Sequence, residues 1–201
     1  MRAYLHVLRR GLLSVALLGT INGPTSVWTQ SVTLEETERS VRRMLERLPY
    51  YGVFDYIVFR VDQGTVYLAG FSFEGRLRAD AEMAVKRASG VVEVANKIEV
   101  LPASQNDDRI RWATFYRIYT DDFLSRYAPG GVPGVLQDLR DERLFPGMQP
   151  VGRYSIHIVV KNGRTMLLGA VDSAADRQIA EVRAREITGV FAVENGLVAG
   201  R

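Results

Sequence analysis

The sequence contains no cysteine, and only two of its 201 residues are histidines. Without thiols, disulfide bonds, thiolate zinc sites and cysteine nucleophiles are all excluded. His6 lies in the N-terminal apolar segment and His157 stands alone in a predicted strand, where we expect a surface or interface role. No serine occupies a nucleophile-elbow motif. We therefore predict a protein that is not an enzyme and that has no catalytic residue, bound metal or cofactor.

Excess charge of one sign is also lacking once the N-terminus is set aside. The full chain has a net charge of +3, but residues 1–29 contain three arginines and no acidic residue. The remainder has 23 basic and 23 acidic residues. Nucleic-acid binding requires a clustered positive field, so we expect no nucleic-acid partner.

Adjacent aspartates occur at two places, Asp107–Asp108 and Asp121–Asp122. Adjacent residues on a helix diverge by about 100 degrees, so neither pair is arranged to chelate a cation. We interpret the first pair as linker or helix N-cap and the second as a solvated helix face.

The N-terminus has the pattern of an export signal. Arg2, Arg9 and Arg10 flank the start of the apolar run Gly11–Ile21, and the polar segment Asn22–Gln30 follows. This pattern predicts a signal peptide over residues 1–29 and a periplasmic protein. The run is shorter than the ~20 apolar residues of a membrane span, although an uncleaved anchor is the alternative.

The remaining chain contains an internal repeat. Asp55–Val100, shifted by 99 residues, lies on Tyr154–Ala199 without a gap. An internal repeat of this kind indicates two copies of one small domain. Six matched glycines are placed where turns and helix ends are expected: Gly64, Gly70, Gly90, Gly163, Gly169 and Gly189.

Hydrophobic periodicity within each copy predicts the order helix, strand, strand, helix, strand. The fold class is therefore α+β, with two tandem α-β-β-α-β domains, each a three-stranded sheet with two helices on one face. We assign residues 31–101 to the first domain, 102–109 to a linker and 110–201 to the second. The second domain contains an inserted loop, rich in proline and glycine, over residues 128–152. Alternation predicts strands at Tyr56–Asp62 and Arg164–Val171, among others. The first helix of the second domain is predicted over Ile110–Tyr127, and it carries an aromatic stripe that we attribute to core packing: Trp112, Tyr116, Tyr119, Phe123 and Tyr127.

The outward sheet faces are unusually apolar, which favours a contact surface. Either an external partner covers them or the two domains cover each other's faces. The residues concerned are Tyr56, Val58, Tyr67, Ala69 and Phe71 in the first domain and His157, Val159, Met166, Leu168 and Ala170 in the second. The inserted loop adds Arg140, Arg143 and Phe145, which predict an amphipathic turn that lies on a surface.

Two segments in each copy resemble the BON domain of bacterial osmotic-stress and nodulation-associated proteins. They are Val61–Gly70 and Ala88–Asn96, then Val160–Gly169 and Ile187–Asn195, with Gly-x-Val-x-Leu-x-Gly and Gly-Val-x-x-Val-x-Asn in the first copy. The resemblance covers Leu34–Leu101 and Ile110–Val198, which is most of the chain after residue 29. It implies an exported protein with two BON domains that is associated with membranes and has no catalytic residues.

These observations together favour a non-enzymatic module of the cell envelope. We expect it to bind a phospholipid membrane surface or an envelope protein, in connection with envelope or osmotic stress. The alternative is a structural module that forms homo-oligomers through its sheets.

Overall fold

The structure, a computed structural model, describes residues 33–129 and 149–200. Val32–Arg201 forms one compact unit. The predicted signal peptide and most of the inserted loop, including Arg140, Arg143 and Phe145, lie outside the described residues. None of the described helices is long and apolar enough to cross a membrane.

The described chain contains two units with the same order of elements. The first unit consists of α1 (Leu34–Leu45), β1 (Tyr56–Asp62), β2 (Thr65–Ser72), α2 (Gly75–Val85) and β3 (Glu93–Val100). The second consists of α3 (Gln105–Tyr119), β4 (Ile156–Lys161), β5 (Arg164–Val171), α4 (Ala174–Arg185) and β6 (Ala192–Ala199). A short 3-10 helix, Ser125–Tyr127, follows α3. The predicted α+β fold of two tandem units is confirmed.

Three of the four α-helices in the described part of the chain begin at a side-chain cap. Thr33 and Glu36 form a complete capping box at α1. Ser104 caps α3, and Ser173 caps α4. Because Ser104 is the cap, α3 begins at Gln105, and the last five residues of the predicted linker 102–109 are helical.

In each sheet, the second strand of the hairpin is central, with the first strand on one side and the final strand on the other. β1 pairs antiparallel with β2, and β3 pairs parallel with β2. The second sheet repeats this arrangement with β4, β5 and β6. All six matched glycines have positive φ angles. Gly70 and Gly169 show why glycine is required, since a Cβ there would lie 2.0 Å from the Tyr56 carbonyl oxygen and 2.1 Å from that of Ser155.

One asparagine in each copy joins the last strand to the helix before it. Asn96 Nδ2 donates to the carbonyl oxygen of Arg78 at 3.0 Å, and Asn195 Nδ2 donates to that of Arg177 at 2.8 Å. Each asparagine Oδ1 also accepts from the backbone N–H two residues later. The matched asparagines therefore have one structural role, performed twice.

The hydrophobic residues form two clusters, but the clusters do not separate cleanly between the units. Val53, Phe54 and Phe73 of the first unit belong to the cluster of the second. The Phe54 ring lies 5.6 Å from the ring of Trp112 in α3. The two units therefore share one of their cores.

The aromatic stripe of α3 is mostly a core feature, as predicted. Trp112, Tyr119 and Tyr127 are buried. Phe123 is instead 58% exposed, because α3 ends at Tyr119 and the helical spacing does not continue beyond it. Phe115, which is outside the predicted stripe, is also buried.

Candidate functional site

The outward face of β4 is covered by the first unit. His157 and Val159 are buried. The His157 ring lies 5.4 Å from the ring of Tyr51 and 5.6 Å from that of Tyr56. His157 and Val159 therefore do not belong to an external interaction surface, which corrects the sequence-based assignment of those two residues. Of the two alternatives for the apolar faces, the units cover each other here.

Backbone pairing continues this contact along the edge of β4. Ile158 N–H donates to the Val53 carbonyl oxygen at 2.8 Å, and Val53 N–H donates to that of Pro150 at 3.0 Å. Gly52 forms an isolated antiparallel bridge with Val151. We call this region, residues 51–55 with residues 149–152 and His157, the junction.

A buried carboxylate organises the junction. Asp55 is completely buried and accepts hydrogen bonds from Gly52 N–H at 2.9 Å, Phe73 N–H at 2.7 Å and Gln149 Nε2 at 2.6 Å. Gln149 Oε1 in turn accepts from Phe54 N–H at 3.1 Å. Burial raises the pKa of Asp55 to about 6, although the three donors oppose this shift. Burial lowers the pKa of His157 to about 4.

The other predicted contact residues of the described chain are more accessible. Val58 is exposed, whereas Tyr56, Tyr67, Phe71, Met166 and Leu168 are half-buried. The Arg60 guanidinium lies 4.7 Å from the centre of the Tyr67 ring. The outward face of the first sheet therefore keeps a small apolar surface in contact with water.

Two large apolar side chains in the described part of the chain are almost fully exposed and were not predicted from the sequence. Val92 is 86% exposed and Phe191 is 84% exposed, and they occupy the same position in the two copies. Each side chain lies against the turn glycine of its hairpin: a Cβ on Gly64 would be 2.9 Å from Val92 Cγ2, and one on Gly163 would be 2.4 Å from Phe191 Cδ2. We call Val92 and Phe191 the tip residues.

A second matched pair shares this exposure. Met83 in α2 and Val182 in α4 are 50% and 52% exposed and again occupy equivalent positions. The adjacent pairs Val91–Val92 and Val190–Phe191 are the signal that could have identified the tips. Two consecutive apolar residues at the start of a strand cannot both face the core.

The carboxylate pairs have structural roles. Asp107 is buried and accepts from the backbone N–H groups of Asn162 and Gly163, each at 2.8 Å. Asp121 is also buried and accepts from Arg183 Nε at 2.7 Å, so it is not part of a solvated face, whereas Asp122 is exposed. Within residues 33–129 and 149–200, no cluster of three histidine, aspartate or glutamate side chains could hold a metal ion.

Two solved structures that are similar to this chain are distant from it in sequence. Two structures of CdsD, a structural protein of the type III secretion system of Chlamydia trachomatis, have 13% and 12% sequence identity. Their TM-scores are 0.26 and 0.23, and the matches cover 82% and 84% of this chain and 93% and 96% of theirs. None of the curated proteins matches the chain.

The family comparison is more decisive. The family model of the BON domain matches residues 34–102 and again residues 142–201. These ranges include both hairpins, both following helices and both final strands. The chain therefore belongs to the BON domain family and contains two BON domains.

Proposed function

We propose that this protein is a non-enzymatic module of the cell envelope that binds a phospholipid membrane surface through its tip residues. The BON family is typical of envelope-associated modules of the phospholipid-binding kind and is non-catalytic in general. A periplasmic location agrees with that membership, and a link to envelope or osmotic stress belongs to the same proposal.

The observation that carries the proposal is the matched exposure of Val92 and Phe191. Each large apolar side chain in water forgoes about 2 kcal/mol of burial energy. A membrane interface can recover that energy because it accepts apolar side chains from a folded surface. The residues after position 29 carry balanced charge, so we expect this binding to depend only weakly on salt and on lipid charge.

Vesicle co-sedimentation tests the proposal with the chain from Val32 onward, which forms one compact unit. We expect the protein to sediment with vesicles of phosphatidylcholine and with vesicles that also contain phosphatidylglycerol. The double variant Val92→Ser/Phe191→Ser should bind at least about tenfold more weakly, because the expected loss exceeds ~1.4 kcal/mol.

The matched control is Val100→Ser/Val198→Ser, which removes two other exposed apolar side chains from the final strands. This variant should bind vesicles as the unmodified chain does. Equal weakening by both double variants, or no sedimentation with either vesicle, contradicts the proposal.

Assembly through the sheets is the second candidate. The burial of His157 and Val159 within the chain removes much of the second sheet face from this role. Light scattering at high protein concentration distinguishes the candidates, since a strict monomer that binds vesicles contradicts assembly.

A further inference from the structure

A cavity of about 260 Å³ opens beside α1, between the first unit and the segment that leads into β4. Its walls are apolar and aromatic: Leu45 lies on α1, Ile57 and Phe59 lie on β1, and Tyr154 comes from the second unit. The cavity is therefore built by both units and lies on the helix side of the first sheet.

Comparison with the second unit explains why the first unit has this cavity. Ile57 and Phe59 are half-buried, whereas their counterparts Ile156 and Ile158 are completely buried. In the second unit, α3 supplies Tyr119, whose hydroxyl donates to the Ile156 carbonyl oxygen at 2.5 Å. The residues of α1 include no aromatic side chain. The corresponding space in the first unit is consequently left open.

Two arginines lie among the cavity residues. The Arg42 guanidinium is 5.6 Å from the centre of the Phe59 ring, and Arg42 forms no ion pair with any described residue. Arg153 Nη2 lies 3.9 Å from Glu46 Oε2; the Arg153 side chain is largely exposed and that of Glu46 is about half exposed. One acid against two arginines leaves a net positive charge beside an apolar cavity.

This combination selects a ligand with an apolar chain and an anionic head. Ligand pockets usually enclose about 300–1,000 Å³, so a cavity of this volume accepts one chain rather than a complete two-chain lipid. Arginine recognises phosphate oxygens through paired, charge-assisted hydrogen bonds. The tip residues do not line this cavity, so the site is separate from the proposed membrane contact.

We propose that the cavity binds an anionic lysophospholipid, with its acyl chain against Leu45, Ile57 and Phe59 and its phosphate at Arg42 and Arg153. The ligand binds as a single molecule from solution. This role goes beyond attachment to a membrane surface.

The probe is a medium-chain lysophosphatidylglycerol, titrated below its micelle concentration and followed by calorimetry. We expect saturable binding at one site. The zwitterionic lysophosphatidylcholine of equal chain length should bind more weakly, and glycerol 3-phosphate, which has no chain, should not bind. Equal affinity for the two lysophospholipids, or the absence of saturable binding, overturns the proposal.

Two variants locate the site. Arg42→Gln should weaken binding by roughly tenfold, because it removes a charge-assisted contact. Arg43→Gln is the matched control, since Arg43 is exposed and diverges from Arg42 by about 100 degrees around the helix. Equal effects of the two substitutions would show attraction to the surface charge of α1 alone and would overturn the proposal.

Filling the cavity provides an independent test. Ile57→Phe should reduce affinity by occupying the space for the chain, with unchanged circular dichroism as evidence of folding. Leu45→Phe serves the same purpose if Ile57→Phe fails to fold. Unchanged affinity in a folded filling variant contradicts the proposal, and Val92→Ser/Phe191→Ser should leave this affinity intact.

Discussion

At the scale of single residues, the junction holds two ionisable side chains whose pKa values are shifted in opposite directions by the same cause. Burial disfavours the charged form of each group. It raises the pKa of Asp55 to about 6 and lowers the pKa of His157 to about 4. The two groups therefore make opposite contributions to the dependence of stability on pH.

His157 should destabilise the fold in acid. Its pKa is about 4 in the folded chain against an ordinary value of 6.5, so the unfolded chain binds more protons between these values. The contribution of His157 is thus present above pH 6.5 and is lost as the pH falls to 4, by on the order of 3 kcal/mol. His157→Phe, which keeps a ring beside Tyr51 and Tyr56, should lack this loss. Urea unfolding at a series of pH values measures it, and parallel curves for the two proteins would exclude it.

Asp55 should act in the opposite sense. Its pKa is about 6 in the folded chain against an ordinary value of 3.8, so folding takes up a proton between these values. Its contribution to the free energy of unfolding therefore rises as the pH falls from about 6 to about 4. Asp55→Asn should cost about 1–3 kcal/mol at about pH 7, because one donor loses its acceptor. In urea unfolding the cost should grow as the pH is lowered towards about 4, and a cost that shrinks on acidification would contradict this account.

Single residues also show why the conformations of glycines could be predicted and the roles of buried polar residues could not. A positive φ is a local property that glycine reports directly, and all six predicted glycines have it. The roles of Asp55, Asp107 and Asp121 depend on partners far along the chain, such as Gln149, Gly163 and Arg183. No local pattern contains that information.

At the scale of elements, the N-terminal turn of α3 fixes the second hairpin. The Asp107 carboxylate accepts from both backbone N–H groups of the turn between β4 and β5. Asp107→Ala should lower the free energy of unfolding by about 2–3 kcal/mol in urea titrations, because two N–H groups lose their acceptor. Asp122→Ala, at an exposed position, is the control and should change it by less than about 0.5 kcal/mol. Similar losses in the two variants would show that the contact with the turn contributes little.

Strands were predicted more accurately than the ends of helices. Alternation between the two faces fixes β1 at Tyr56–Asp62 and β5 at Arg164–Val171, as the structure has them. The helix predicted from Ile110 to Tyr127 begins instead at Gln105 and ends at Tyr119. Its first turn contains mostly polar residues, which resemble a linker, and its last predicted turn is broken by Thr120 and Asp121.

At the scale of the whole molecule, the shared core predicts that the units unfold together. Phe54 of the first unit packs against Trp112 and Phe115 of the second. Phe54→Ala should therefore destabilise both units, by about 3–5 kcal/mol. In the chain from Val32 onward, tryptophan fluorescence senses Trp112 and far-ultraviolet circular dichroism senses both units, and the two signals should give coincident transitions. Separate transitions would contradict a shared core.

The contact between the units could not be predicted from the sequence. Val53 and Phe54 stand before β1 without a periodic neighbourhood, and their partners in the shared core lie far along the chain. The apolar outward faces suggested mutual cover as one alternative, but only the β4 face is covered, and that cover depends on the pairing of residues 51–53 with the edge of β4. That pairing is a property of the assembled units.

The covered face of β4 has a consequence for the growth of repeat arrays. The first unit contacts the face of β4 through the segment before β1, and a contact between two different surfaces can be extended by adding further units. The position of the buried Val159 in the second unit corresponds to the exposed Arg60 in the first. Arg60 places a charge on the face that another copy would have to bury. The terminal repeats of solenoid proteins likewise have polar outer faces, which end the stacking of repeats. The first unit is thus a poor acceptor for a further copy, and filaments built by this contact are disfavoured.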